Sequence, residues 1–148
     1  GDHLYLHSFH TRRSSDLGLA GELANARVAL KAASVELAAE VDSQKCPPMH
    51  DNLFALVLRE AVTNILRHSK ARRCSVKLEC HERVATLTIE DDGRGGNLRE
   101  GNGLRGMRER LAALDGALHI ESSRDGTRLM ATLQLPLAGE PPALAVGQ

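Results

Sequence analysis

Apolar residues follow two rhythms along this chain. At Leu19, Leu23, Ala26 and Leu30 they recur at i, i+4, i+7 and i+11, which lays one stripe along a helix. With Asp16 standing as an N-cap, that spacing predicts a helix over about 16–33. The run 35–41 is a short strand candidate, ended by the polar, proline-containing stretch 42–48, which cannot continue a ladder. A second helix is expected over about 50–69. Its 100° steps put Glu60, Asn64 and Arg67 in one narrow arc and Leu58, Ala61, Val62 and Ile65 in another. Leu53, Leu56 and Val57 share the side of Glu60 and Asn64, so polar groups end an otherwise buried face, where charge is costly unless something binds it.

The rhythm then changes to two. Cys74, Val76, Leu78 and Cys80 alternate with polar neighbours, as do Ala85, Leu87 and Ile89, on either side of His81-Glu82-Arg83. This predicts a β-hairpin with one buried face. A loop over 97–103 precedes a helix over 104–114 with Leu104, Met107, Leu111 and Leu114 on one side. A second hairpin pairs 118–121 with 129–135 and stops at Pro136. The order is helix, strand, helix, hairpin, loop, helix, hairpin. It fits a two-layer α/β sandwich in which helices cover one face of a mixed, five-stranded sheet.

The length, 148 residues, suits one domain, placed at 18–137. Residues 1–17 share neither rhythm and read as a disordered or non-native leader, and the proline-, alanine- and glycine-rich 138–148 as a disordered tail. Nineteen Lys and Arg balance nineteen Asp and Glu, so no net positive field draws the chain to nucleic acid or an anionic membrane. Cys46, Cys74 and Cys80 are too few and too far apart for a disulfide framework or a paired CxxC zinc site, and read as free thiols. With no apolar run of about 18 residues, the expectation is a cytoplasmic chain making no membrane contact.

Three separated motifs carry the chemistry. Glu60-x-x-x-Asn64 is an acid and amide at helical spacing. Asp91-Asp92-Gly93-Arg94-Gly95 ends the second strand of the first hairpin in a turn whose glycines let a ligand ring approach the backbone. A carboxylate at the base of such a pocket accepts from an exocyclic amine, which favours adenine over guanine. Gly101-Asn102-Gly103-Leu104-Arg105-Gly106-Met107 opens a helix whose first N–H groups and dipole attract phosphate, with Arg105 or Arg108 as added charge. The same run satisfies GxGxxG, but a loop rather than a strand precedes it, so the βαβ context of a dinucleotide site is missing. Together the three motifs are the parts that hold magnesium, a purine and a triphosphate.

These residues resemble the ATP-binding domain of sensor histidine kinases, within the wider group that includes gyrase, the Hsp90 chaperones and MutL, over roughly 19–137. The run 59–69 is similar to the N box, 91–95 to the G1 box, 101–107 to the G2 box, and Asp125-Gly126-Thr127 to the last glycine motif. The His68-Ser69 ending, GLRGMRERL and a short lid look like the nitrate-sensor and lipid-fluidity-sensor subfamily, which pairs with helix-turn-helix response regulators. The resemblance implies the Bergerat-type ATPase fold, ATP and magnesium. It implies that Asn64 coordinates the magnesium, that Arg67 and His68 lie near phosphate, and that Asp91 contacts the adenine amine. Gly93 and Gly95 then shape the purine pocket, Gly101, Gly103 and Gly106 form a mobile lid, and Leu104, Met107 and Thr127 join the nucleotide site. Glu60 polarises the attacking group.

The phosphoacceptor of that subfamily lies in an upstream helical hairpin within a pattern like ELHD, and no such pattern occurs in this sequence. The chain therefore reads as a catalytic fragment, unable to autophosphorylate alone, acting on a histidine of a dimerisation domain outside it. The parent kinase of such a fragment can be membrane-anchored. Two other readings stay open: a serine kinase of the anti-sigma type, and a nucleotide-binding module without transfer activity.

Overall fold

The computed structural model describes residues 18–42, 46–94 and 102–137, apart from the side chains at 68, 69 and 102. The leader, the tail, Gly95 and Gly101 lie outside these residues, as does Asp16. The elements are α1 (18–32), β1 (Glu36–Glu40), α2 (Pro48–Asn64) with a π-helical turn (Ile65–Ser69), β2 (Arg73–His81), β3 (Val84–Asp91), α3 (Asn102–Ala113), β4 (Ala117–Ser123) and β5 (Gly126–Gln134).

The strands form one mixed sheet in the order β1-β2-β3-β5-β4. Among the described residues the β1–β2 pair alone is parallel, and the β2–β3, β3–β5 and β4–β5 pairs are antiparallel. Alternation decides the layers. Cys74, Val76, Leu78, Ala85, Leu87, Ile89, Leu129, Ala131 and Leu133 point to one side and are buried with residues of all three helices in a single core. Among them Phe54, Leu58, Leu87, Leu111 and Leu133 have lost essentially all contact with water, and each such side chain contributes about 1.5–3 kcal/mol. The other side carries cross-strand pairs between charged neighbours, such as Arg128 to Glu90 at 2.8 Å, of the kind that contribute little individually.

Leu19, Ala26 and Leu30 of α1 are buried as the stripe requires. Two polar links fix α1 on α2: the Leu19 amide donates to Asp51 Oδ2 at 3.0 Å, and Arg59 Nε donates to Glu22 Oε1 at 2.7 Å. Glu22 is itself only 6% exposed, a buried acid within the apolar face of the helix. The first hairpin turns on Glu82 and Arg83, with φ of 48° and 70°. Left-handed backbone costs about 1–2 kcal/mol at a residue with a side chain. The turn is held by the chain's exit from β5, where the Leu135 amide donates to the Arg83 carbonyl at 2.6 Å and Arg83 Nε donates to the Leu135 carbonyl at 3.1 Å.

Candidate functional site

Two elements of matched rise carry the first two motifs to the same edge of the domain. At the start of α2, His50 Nε2 donates to the Gln134 carbonyl at 3.1 Å, and Gln134 pairs with Val84 at the start of β3. From there the helix climbs about 21 Å to Asn64 at 1.5 Å per residue, and the strand about 23 Å to Asp91 at 3.3 Å per residue. Since α2 packs against β3 and α3, Asn64 and Asp91 emerge together where the apolar layer ends.

Asp91 has the parity of Leu87 and Ile89, so its carboxylate faces the helix layer and is half-buried. Burial pushes its carboxyl above the ordinary aspartate value, while the Gly93 amide, donating to Oδ1 at 2.9 Å, pulls the other way. Cys74 lies across from it in the ladder, and its thiol is pushed up to about 12 by burial, with the charges of Asp91 and Asp92 adding. Asp92 points outward. Its Oδ1 accepts the Arg72 and Arg73 amides at 2.8 and 2.9 Å, which holds its carboxyl below the ordinary value and ties the glycine turn to the start of β2.

On the other side, Gly126 lies with φ of 145° against the Asp91 carbonyl, so any Cβ there would run into that backbone. Thr127 pairs with Asp91 in register, and its Oγ1 is 3.0 Å from Ser122 Oγ.

The third motif closes the arrangement. Glu60 lies one helical turn before Asn64, and both are half-buried. Gly103, in the first turn of α3, sits directly on the Glu60 carboxylate: a Cβ on it would lie 2.5 Å from the carboxyl carbon and 2.8 Å from Oε2. Its φ is not positive, so glycine stands here for space and not for backbone freedom. Leu104, Met107, Leu111 and Leu114, all buried, anchor α3 to the core.

The expected mobile lid of Gly101, Gly103 and Gly106 is therefore divided. Gly103 and Gly106 belong to α3, which begins at Asn102 rather than Leu104, and Gly106 faces open space with nothing within 4 Å of an added Cβ. Arg67 is exposed in the π-helical turn, whose wider winding shifts it from the arc that 100° steps give, and Lys70 ends the turn with φ of 53°. Arg108 donates to the Leu118 carbonyl in β4, which ties its side chain to the sheet.

The structure thus joins Glu60 to Gly103 at the start of α3, and Asp91 to Gly93, Gly126 and Thr127, while the matched rise of α2 and β3 carries Asn64 and Asp91 towards the same edge. A depression of about 580 Å³ on the outer side of the sheet is lined by Glu36, Arg73, Cys74, Glu90, Asp91, Asp92 and Asp125. Its acidic lining suits no phosphate. What sequence reasoning missed is the clamp by Asp92, signalled only by its outward parity, and the reason for glycine at 103. Among the described residues no three His, Cys, Asp or Glu side chains gather as a metal cage, and no helix is long and apolar enough to cross a membrane.

Comparison with known proteins agrees with this geometry. A Bacillus subtilis protein named sensor histidine kinase DesK is 34% identical over 80% of this chain and 33% of its own length, and sensor histidine kinase YvfT of the same organism is 36% identical over 77% and 32%. The chain thus spans about a third of the curated relatives it matches. Among solved structures, the histidine kinase domain of the Erythrobacter litoralis blue-light activated histidine kinase shares the fold with a TM-score of 0.68, at 20% identity over 80% of this chain and 61% of that one. The sequence model of the family described as histidine kinase-, DNA gyrase B- and HSP90-like ATPase matches residues 50–139. That span holds the ends of α2 and β3 and the start of α3, and the chain belongs to this ATPase family.

Proposed function

We propose that this chain is the ATP-binding catalytic domain of a two-component sensor histidine kinase, passing the γ-phosphate of ATP to a histidine on a dimerisation domain. The observation that carries the reading is the seating of Gly103 on the Glu60 carboxylate, which joins the start of α3 to the end of α2 at the edge where Asp91 emerges. Relatives whose names read sensor histidine kinase support the choice within the family.

The Asp91 carboxylate accepts from the adenine amine, and its raised pKa reflects a half-buried group that gains by such a donor. Gly93 leaves the purine room, with Gly95 beyond it. The first turn of α3, with Gly103, Leu104, Gly106 and Met107, directs N–H groups towards phosphate, and Arg67, His68 and Thr127 complete the surround. The half-buried Asn64 side chain offers a hard amide oxygen of the kind magnesium takes alongside water and phosphate, so the residues fit the ion, and Asn64 would hold it. Bound to Asn64, magnesium would neutralise charge on the phosphates. Glu60, held in place by Gly103, polarises the attacking imidazole, while positioning and electrostatics supply most of the acceleration. A helix-turn-helix response regulator receives the phosphate in turn.

Mixing the chain with labelled ATP and a separately supplied dimerisation domain tests this. Acid-labile label on a histidine of that domain is the expected result. Acid-stable phosphoserine, or nucleotide binding with no transfer, would contradict it.

A further inference from the structure

Asp92 stands between the two residues assigned to the purine, Asp91 and Gly93, with its own side chain exposed on the outer side of the sheet. What it holds is backbone. Its Oδ1 accepts the Arg72 amide at 2.8 Å and the Arg73 amide at 2.9 Å, and its own amide donates to the Arg73 carbonyl at 3.2 Å. The last bond extends the β2–β3 ladder by one rung; the other two are made by the side chain alone.

Arg72 leads back to the other half of the site. It stands three residues beyond the π-helical turn Ile65–Ser69, which continues α2 past Asn64 and carries Arg67. Lys70, with φ of 53°, turns the chain between them. The Arg72 carbonyl accepts the Glu36 amide at 2.8 Å, so Arg72 is held at its carbonyl by β1 and at its amide by Asp92.

We propose that Asp92 is a positioning residue of the nucleotide site, whose carboxylate fixes the Asp91–Gly93 turn against the segment leaving α2 and so sets the separation between the purine end and the magnesium end. The inference rests on the reading of this chain as an ATP-binding domain. Asp92 acts through Asp91 and Gly93 and not on the ligand itself.

The turn has little else to fix it on the β2 side. Gly93 has no side chain to anchor it, and its amide is already engaged by Asp91 Oδ1 at 2.9 Å. Without the Asp92 carboxylate, the rung from the Asp92 amide to Arg73 remains. A carboxylate suits the task, because one oxygen accepts two donors and an ionised acceptor makes bonds roughly twice as strong as a neutral one. A ligand that must meet both ends at once binds better when their separation is set beforehand.

The test is calorimetric titration of the parent chain, Asp92→Asn and Asp92→Ala with ATP and GTP in magnesium, each well below its melting temperature so that folded chain is titrated. Asp92→Ala should bind ATP about tenfold more weakly than the parent and prefer it less over GTP. Asp92→Asn, whose amide oxygen still accepts from Arg72 and Arg73 without the charge, should recover most of both. Adding Asp92→Ala to Asp91→Asn should cost ATP little more, since the two act through one contact. In transfer to a supplied dimerisation domain, Asp92→Ala should raise the KM for ATP and keep kcat within about threefold. Fewer binding sites with the parent's affinity and purine preference would overturn the proposal and leave Asp92 a brace of the fold alone. So would a full additional loss on the Asp91→Asn background, or an Asp92→Asn no better than Asp92→Ala. A parent chain that binds no ATP would overturn the nucleotide reading itself, and this proposal with it.

Discussion

Replacing Gly103 by alanine separates positioning from folding. The new Cβ would stand 2.5 Å from the Glu60 carboxyl carbon and 2.8 Å from Oε2, against an ordinary contact of 3.4–4 Å. About 1 Å must therefore be given up, and the part that yields is the end of a flexible side chain, not backbone. Alanine is the better helix former by up to about 1 kcal/mol, so the variant should melt at or a few degrees above the parent temperature. Displacing a catalytic carboxylate by about 1 Å can cost on the order of 100-fold. Single-turnover phosphoryl transfer to a supplied acceptor domain should accordingly fall about 10- to 100-fold while the melt holds. Glu60→Ala should lose transfer by itself, and adding Gly103→Ala to it should cost nothing more, because the two act through one group. Unchanged transfer in Gly103→Ala, or a full additional loss on the Glu60→Ala background, would refute the reasoning.

Asp91→Asn should weaken ATP binding by about 1–3 kcal/mol in calorimetry, through a mismatched half-buried partner. Because the folded pKa of Asp91 is raised, its ionisation removes stability as pH climbs through that raised value, so the variant should melt no lower than the parent at pH 7. For Asp92 the sign reverses: its lowered pKa gives stability present above the ordinary aspartate value and lost as pH falls through the folded one. Asp92→Ala should thus melt below the parent at pH 7, with the gap closing in acid. Glu22→Ala strands Arg59, whose side chain keeps 37% of its exposure and so recovers part of the loss in water; an unfolding titration should show a destabilisation of about 1–3 kcal/mol.

Where burial follows periodicity, the sequence was legible. The residues Leu104, Met107, Leu111 and Leu114 are all buried, and both hairpins alternate as their apolar runs require. Three kinds of feature were not. Glycine lowers helix propensity, so the loop was read through 103 and the helix from 104, yet α3 begins at Asn102 and takes in Gly103, anchored by the buried Leu104 and Met107. The π-helical turn at Ile65–Ser69 has no sequence rhythm of its own, and it changes where Arg67 points. The burial of Glu22 depends on a partner 37 residues away, which local pattern cannot supply. For the site, residue types and spacing named Glu60, Asn64 and Asp91. The tertiary contacts were needed to show that Gly103 makes room for Glu60 and that Asp92 braces the turn.

The claim that the ends of α2 and β3 and the start of α3 hold a single magnesium-bound purine triphosphate is tested most directly by calorimetric titration of the chain with ATP and GTP, with and without magnesium. One ATP should bind per chain, more tightly with magnesium than after chelation and at least about tenfold more tightly than GTP, a difference of about 1.4 kcal/mol; in Asn64→Asp the magnesium dependence should change. Equal affinity for the two purines, or binding indifferent to magnesium in both proteins, would contradict it.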